Sequence, residues 1–288
     1  MNEEEKILSG KLVSTKIKED LKKEVDELKE KGIIPKLAVI MVGDNPASKV
    51  YVKNKSKACN LVGVEFEEFL LSENVEEKEL FDLIDRLNED DSINGILLQS
   101  PIPKNLDQNE AFKRIKPEKD VDGFNPINVG NLCIGNGCFI SCTPFGVMKI
   151  LEYYNIELEG KNAVVLGRSN IVGKPMVQCL LSKNATVTVC HSRTKNLQEI
   201  TKNADILIAA IGKPKFVTKE FLKDGAIVID VGINRQEDSK KICGDVDFDD
   251  CLSKVSKITP VPGGVGPMTI AMLLYNVVKA TKEQNEII

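Results

Sequence analysis

Histidine is almost missing from this chain: His191 is the only one in 288 residues, which excludes metal sites built on several imidazoles. No Cys-x-x-Cys pair occurs either. Of the eight cysteines, Cys133, Cys138 and Cys142 fall closest together, but their spacing is loose and no fourth ligand accompanies them. No metal is therefore expected. Disulfide frameworks belong to small secreted domains, so reduced thiols are expected instead. No apolar run approaches the roughly 18 residues of a membrane span. The opening MNEEEKILSG lacks the cationic start and apolar stretch of a signal peptide, and a cytoplasmic protein is expected. The formal net charge of -4 leaves no basic footprint for nucleic acid and no attraction to a membrane surface.

What is present is an ordinary globular composition, 42% hydrophobic and 28% charged, which excludes disorder and collagen-like structure. The length suits two domains, each with its own core. Leu12, Ile17, Leu21, Val25 and Leu28 follow the helical period over 9–31, and Gly32 ends the helix. Short apolar strands at 36–42, 64–71 and 95–99 alternate with helices at 47–61 and 75–88. Near-continuous apolar strands separated by amphipathic helices predict a parallel sheet covered on both faces, an α/β fold. The turn-rich passage 116–143 reads as a linker, and Thr143-Pro144 as the cap and first position of a helix ending near Tyr154. Further strands are predicted at 163–167, 186–190, 205–210 and 226–232, with a last helix over 267–282. The predicted domains are 1–142, completed by 267–288, and 143–266.

Strand 163–167 runs into Gly167-Arg168-Ser169-Asn170-Ile171-Val172-Gly173 and then a helix. Such a turn aims backbone N–H groups and a helix dipole at a pyrophosphate. Ser169 takes the second glycine position of the GxGxxG pattern, so the motif alone is weak and an ordinary tight turn remains open. The strands that follow favour a dinucleotide-binding unit. The second strand ends Cys190-His191-Ser192-Arg193, without the carboxylate that an NAD ribose favours. Arg168 and Arg193 would welcome a 2′-phosphate, which favours NADP over the plain alternative of two solvated surface arginines. His191 has no nucleophile partner in the pattern and reads as a residue of the cofactor loop.

In the first half, Tyr51 and Lys55 stand one helical turn apart on one face. A lysine beside an aromatic ring can be partly desolvated toward base chemistry. A solvated lysine face is the plain alternative, since Lys49, Lys53 and Lys57 are neighbours. Tyr-x-x-x-Lys also occurs in short-chain dehydrogenases, but there it follows the nucleotide fold rather than preceding it. Gln99 closes a strand, where open α/β sheets place ligands. Asp120 and Asp122 flank Val121 ahead of Gly123; a carboxylate there could take paired hydrogen bonds from a planar heterocycle, or serve turn chemistry alone.

Five segments carry a family resemblance: Tyr51-Val-Lys-Asn-Lys55-Ser, Leu97-Leu-Gln-Ser-Pro-Ile-Pro103, Asp120-Val-Asp-Gly-Phe124, Gly167-Arg-Ser-Asn-Ile-Val-Gly-Lys-Pro175 and Thr259-Pro-Val-Pro-Gly-Gly-Val-Gly-Pro-Met-Thr269. In that order they resemble the bifunctional methylenetetrahydrofolate dehydrogenase/cyclohydrolases. The resemblance implies two three-layer α/β domains flanking a cleft, the second a Rossmann-type dinucleotide-binding domain, with the last helix returning to the first domain. It implies oxidation of 5,10-methylenetetrahydrofolate with NADP, hydrolysis of the methenyl product, and a homodimer formed through the nucleotide domains. Lys55 would be the key hydrolytic residue, with Gln99 adjusting its protonation. Tyr51 would stack on the folate, Asp122 would hold the pterin, and Ser48 would lie near them. Arg168, Ser169 and Ser192 would meet the cofactor, within a wider set of Gly167, Ile171, Gly173, His191, Arg193, Gly212 and Ile233. Pro262, Gly263 and Gly264 would border the folate and nicotinamide.

Three other readings compete. A shikimate-type dehydrogenase shares the layout and a catalytic lysine, but Pro260-Val-Pro-Gly-Gly264 speaks against it. A nucleotide sensor on the same fold would have no need of Lys55, Gln99 and Asp122 together. A monofunctional dehydrogenase of the same family would carry the same residues, and an NAD-dependent version is the remaining alternative.

Overall fold

A computed structural model describes residues 3–235 and 241–287. The chain forms two compact units, Lys16–Ser141 with Ile270–Ile288, and Met1–Thr15 with Cys142–Thr269.

In the unit built on Lys16–Ser141, the elements are most of α1 (Gly10–Glu30), then β1 (Lys36–Val42), α2 (Pro46–Val62), β2 (Glu65–Leu71), α3 (Glu77–Glu89), β3 (Gly95–Leu98), α4 (Gln108–Arg114) and α5 (Pro126–Ile134). The three strands are parallel in the order β2-β1-β3. Strand β1 reads KLAVIMV and is buried from its second residue on, because it is central and covered on both faces. Helix α3 buries Leu80, Leu83, Ile84 and Leu87 at helical spacing, against Ile40, Ile96 and Leu98 of the sheet. Each such side chain removes enough apolar surface to contribute roughly 1.5–3 kcal/mol. Gly95 must be glycine, since a Cβ would press into the side chain of Val121.

The other unit contains α6 (Cys142–Tyr153), β4 (Asn162–Leu166), α7 (Gly173–Leu181), β5 (Thr186–Cys190), α8 (Leu197–Thr201), β6 (Ile206–Ala209), β7 (Ile227–Asp230), the two-residue strands β8 (Asn234–Arg235) and β9 (Ile242–Cys243), α9 (Phe248–Cys251) and β10 (Lys257–Ile258). Its parallel sheet has the order β10-β7-β6-β4-β5. Counted along the chain, that is 2-1-3-4-5, one of the two common doubly wound dinucleotide-type orders. Helix α10 (Val265–Gln284) begins in this unit and ends in the other. There Asn276 Nδ2 donates to the carbonyls of Val121 and Ile140.

Four local expectations are corrected. The passage 116–143 is not a bare linker: Asn125 caps α5 by accepting from Ile127 N at 2.8 Å, and Pro126 starts it. Six glycines and prolines spread through the passage hid a helix of nine. Helix α6 begins at Cys142, so Thr143 lies inside it rather than capping it. Leu12 is 53% exposed while its neighbour Val13 is buried. The start of α1 belongs to the nucleotide-type unit, where Lys11 N donates to Gly263 O and Gly10 leaves room for Gly264 O. That also moves the first fifteen residues out of the unit the sequence assigned them to, and Ile7 bridges Ile258 at the sheet edge. Among the described residues no helix is long and apolar enough to cross a membrane.

Candidate active site

Both sheets change strand direction of growth between their first and third strands, the place where open α/β sheets form ligand crevices outside the carboxyl ends. Lys55 and Gln99 meet at the carboxyl ends of the first sheet, and Gly167, Arg168, Ser169, His191 and Ser192 meet at those of the second.

In the three-stranded unit, α2 follows β1 and carries Ser48, Tyr51 and Lys55. The side chain of Asn45 caps it by accepting from Ala47 N at 2.9 Å and Ser48 N at 3.1 Å, with Pro46 pre-set for the first turn. Ser48, Val52 and Cys59 form its buried face, and Lys55 falls on the same face seven residues after Ser48. Lys55 Nζ donates to Gln99 Oε1 at 2.8 Å. Gln99 is 8% exposed and sits just past β3. Its Nε2 donates to Ser100 O at 2.7 Å and its backbone N to Ile40 O at 2.8 Å, so the amide is fixed and its oxygen faces the lysine. Tyr51, one turn before Lys55, is 44% exposed and presents its ring at the surface. Ser48 is 3% exposed and its Oγ is buried with no hydrogen-bond partner. An unsatisfied buried hydroxyl costs about 1–3 kcal/mol, a cost usually tolerated where a ligand or water is held. The Cys59 thiol, one turn beyond Lys55, is pushed up to about 12 by burial, only partly offset by the lysine charge, and stays protonated.

Asp120 and Asp122 stand in different surroundings. Asp120 is buried and accepts from Phe124 N at 3.2 Å, Asn125 N at 2.7 Å and Asn128 Nδ2 at 2.9 Å. Burial nonetheless raises its pKa to about 6. It is the turn residue. Asp122 is half-buried, between a Val121 carbonyl held by Asn276 and Gly123. Gly123 has φ of 73°, and a Cβ there would run into Ser141 N and Phe139 O.

In the five-stranded unit, Gly167 follows β4 and lies beside Ala210, which follows β6. Its φ of 120° and the Ala210 carbonyl against it admit only glycine. Gly173 opens α7 directly over Gly167 O and the Arg168 backbone, again without room for a Cβ. Ser169 Oγ accepts from Val172 N at 3.2 Å and Gly173 N at 3.3 Å, so the serine shapes the turn that a glycine shapes elsewhere. A recess of about 320 Å³ opens here, walled by Gly167, Arg168, Ser169, His191, Ser192, Ala210, Ile211 and Lys213. His191 Nδ1 accepts from Arg193 N at 3.1 Å, so the imidazole braces its own loop. Arg168 and Arg193 are exposed, as are Ile171, Gly212 and Ile233; of these five only Arg168 lines the recess. Leu197, Lys213 and Phe216 line it and escaped the sequence reading, because no pattern marks them before the fold brings them together.

Pro262, Gly263 and Gly264 belong to the same unit. Gly263 has φ of 104°, and Gly264 is closed in by Pro260 O, Thr259 and Gly10. Thr143 and Thr269 share a hydroxyl hydrogen bond of 3.0 Å that ties α6 to the first turns of α10.

Two family descriptions match the chain: the catalytic domain of the tetrahydrofolate dehydrogenase/cyclohydrolases over residues 8–122, and the NAD(P)-binding domain of the same family over residues 141–285. The bifunctional protein FolD of Agathobacter rectalis is 58% identical over 276 residues, 96% of this chain and 99% of that one. Among solved structures, the bifunctional FolD of Campylobacter jejuni superposes with a TM-score of 0.95 at 54% identity, covering 96% of this chain and 98% of that one. The Trypanosoma brucei enzyme, solved with NADP and an inhibitor, superposes at 0.92 with 38% identity, over 96% and 97% of the two chains.

Proposed function

Because the chain belongs to the tetrahydrofolate dehydrogenase/cyclohydrolase family, we propose that the residues gathered at its two sheet edges divide that family's two reactions between them. The enzyme oxidises 5,10-methylenetetrahydrofolate to the methenyl form with NADP and hydrolyses the methenyl form to 10-formyltetrahydrofolate. The observation that carries the assignment of hydrolysis is the 2.8 Å contact between Lys55 Nζ and Gln99 Oε1.

Hydrolysis needs water delivered to the methenyl carbon and a proton moved to a folate nitrogen as the ring opens. One side chain held at a fixed point can do both in turn. Lys55 is that group. Gln99 orients its nitrogen, because the Gln99 amide is itself anchored at Ser100. Ser48 Oγ, buried and unsatisfied on the same helical face, supports a role in holding substrate or water. Tyr51 offers a ring face to the folate, and Asp122 offers a half-buried carboxylate to the pterin amine and ring N–H.

Oxidation asks the protein mainly for position, since the substrate nitrogens stabilise the cation that forms. NADP supplies the hydride-accepting nicotinamide when bound. The chain fits it: Gly167 and Gly173 leave a backbone cradle, and Arg168, Ser169, His191 and Ser192 wall the recess. No carboxylate ends β5; Arg193 stands there instead, which suits a 2′-phosphate. Gly212 and Ile233, after β6 and β7, extend the same edge, and Gly263 and Gly264 would border the nicotinamide. Residues 16–141 with 270–288 then act as the folate unit, and the remainder as the cofactor unit.

A homodimer through the cofactor unit is part of this reading. Strand β5 is a sheet edge, and Val189 on it and Leu181 before it are exposed. All eight cysteines are free thiols, which supports a reducing, cytoplasmic setting.

An absorbance assay with methylenetetrahydrofolate, run with NADP and with NAD, tests the whole. Methenyl formation with NADP, followed by enzyme-accelerated decay, is expected. Formation without accelerated decay would leave a dehydrogenase alone and remove Lys55 from its role. Faster formation with NAD would reverse the cofactor assignment.

A further inference from the structure

The cofactor unit holds a buried pair of carboxylates that neither reaction uses. Asp245 is fully buried, and Asp230 is 3% exposed. Asp245 Oδ2 accepts from Ile211 N at 2.7 Å and Gly212 N at 3.0 Å, and its Oδ1 accepts from Lys213 N at 2.9 Å and Asn234 Nδ2 at 2.9 Å. Three consecutive amides after β6 therefore converge on one carboxylate, in the manner of a backbone anion nest. Gly212 supplies the left-handed φ of 65° that turns its N–H inward. The same carboxylate reaches Asn234, beside Ile233, in the segment after β7.

Asp245 is itself fixed by Asp230. Asp230 Oδ1 accepts from Gly232 N and Asp245 N, each at 2.9 Å, and Oδ2 accepts from Val246 N at 2.9 Å. Asp230 N donates to Thr259 Oγ1 at 2.7 Å. Gly232 and Gly244 have no room for a Cβ, because the carboxylates of Asp245 and Asp230 occupy the space where it would stand. Two buried carboxylates repel each other, and each is costly to desolvate. The arrangement persists because each oxygen is matched to backbone N–H donors from loops that have no secondary structure to satisfy them.

Those loops matter for one reason. Ala210, Ile211 and Lys213 form one wall of the recess whose opposite walls are Gly167–Ser169 and His191–Ser192. We propose that Asp245 is a positioning residue for NADP: it pre-shapes the 211–213 and 233–234 segments into their cofactor-facing form, without touching the cofactor itself. The proposal rests on the assignment of this recess to NADP. Its specific content is that the binding wall is held by a buried carboxylate from the far side rather than formed on binding.

The bifunctional enzyme carries its own control, because methenyl hydrolysis needs no cofactor and depends on the other unit. In the full-length Asp245→Asn enzyme, one amide N–H₂ would oppose backbone N–H donors and loosen the nest. The Kd and KM for NADP are expected to rise by about tenfold or more, equivalent to roughly 1.4 kcal/mol. Hydrolysis of methenyltetrahydrofolate and kcat at saturating NADP are expected to stay within about threefold of the parent, a split that a merely structural residue would not produce. An unchanged Kd for NADP overturns the proposal, and so does an equal loss of both activities in a folded variant. Wild-type protein that fails to bind NADP overturns it together with the assignment on which it rests. Should Asp245→Asn fail to fold, Asn234→Ala decides: it removes one bond to the carboxylate and leaves the three backbone bonds. A rise of about threefold or more in the Kd for NADP with hydrolysis intact supports the proposal, and an unchanged Kd overturns it.

Discussion

Lys55 Nζ lies 2.8 Å from Gln99 Oε1, a contact between the helix after β1 and the end of β3 across 44 residues of chain. Gln99 spends its other amide atom on Ser100 O, so the pair has one geometry rather than several. Exchange of either partner has a defined consequence.

Lys55→Met keeps the length of the side chain and removes its nitrogen. Methenyl hydrolysis is expected to fall by about 10²–10⁴-fold, the usual contribution of a positioned acid–base group. The Kd for NADP, read by fluorescence, should not change. Normal hydrolysis in this variant would remove Lys55 from the mechanism.

Arg193→Ser tests the cofactor assignment. A charge-assisted hydrogen bond to a phosphate contributes about 1.5–3 kcal/mol, so KM for NADP should rise by about 10- to 100-fold. KM for NAD should stay level. Steady-state oxidation with each cofactor separates the two, and an equal rise in both would place Arg193 elsewhere than at a 2′-phosphate.

Gly167→Ala puts a methyl group against Ala210 O at a φ of 120° that side chains avoid. NADP-dependent oxidation should drop by at least about tenfold while cofactor-free hydrolysis persists. Loss of both, with an unchanged melting temperature, would contradict the separation of the two sites.

Asp120 has a pH signature of its own. Burial raises its pKa from 3.8 to about 6 in the folded chain. A raised folded pKa contributes stability that is complete below about 4 and lost as pH rises through about 6. The span of about two units corresponds to roughly 3 kcal/mol. Asp120→Asn does not titrate, so its deficit relative to the parent should be largest near pH 4 and shrink toward pH 7. Melting curves across that range provide the test; a deficit that grows toward pH 7 would reverse the sign.

Period and turn chemistry were enough to read most of the scaffold. The apolar run at Lys36–Val42 and the repeat of Leu80, Leu83, Ile84 and Leu87 could bury themselves in only one way, and strand β1 and helix α3 follow them. Helix α5 was not legible in the same way, because its signal is a capping asparagine with a proline, Asn125-Pro126, inside a passage full of turn residues. The segments Tyr51–Lys55, Gly167–Gly173 and Thr259–Thr269 were visible as chemistry because their residue types and order are unusual.

The sequence by itself determined the α/β alternation, the family and the residue types available for folate and NADP chemistry, since these rest on local pattern and motif order. Only the tertiary structure decided that Asp120 is a buried turn residue. Asp120 is buried and accepts from Phe124 N, Asn125 N and Asn128 Nδ2, whereas Asp122 is half-buried. Only it revealed Asp230 and Asp245, whose donors come from loops up to 34 residues away. A buried carboxylate is defined by the N–H groups that converge on it, and convergence is a property of the folded chain rather than of any stretch of it.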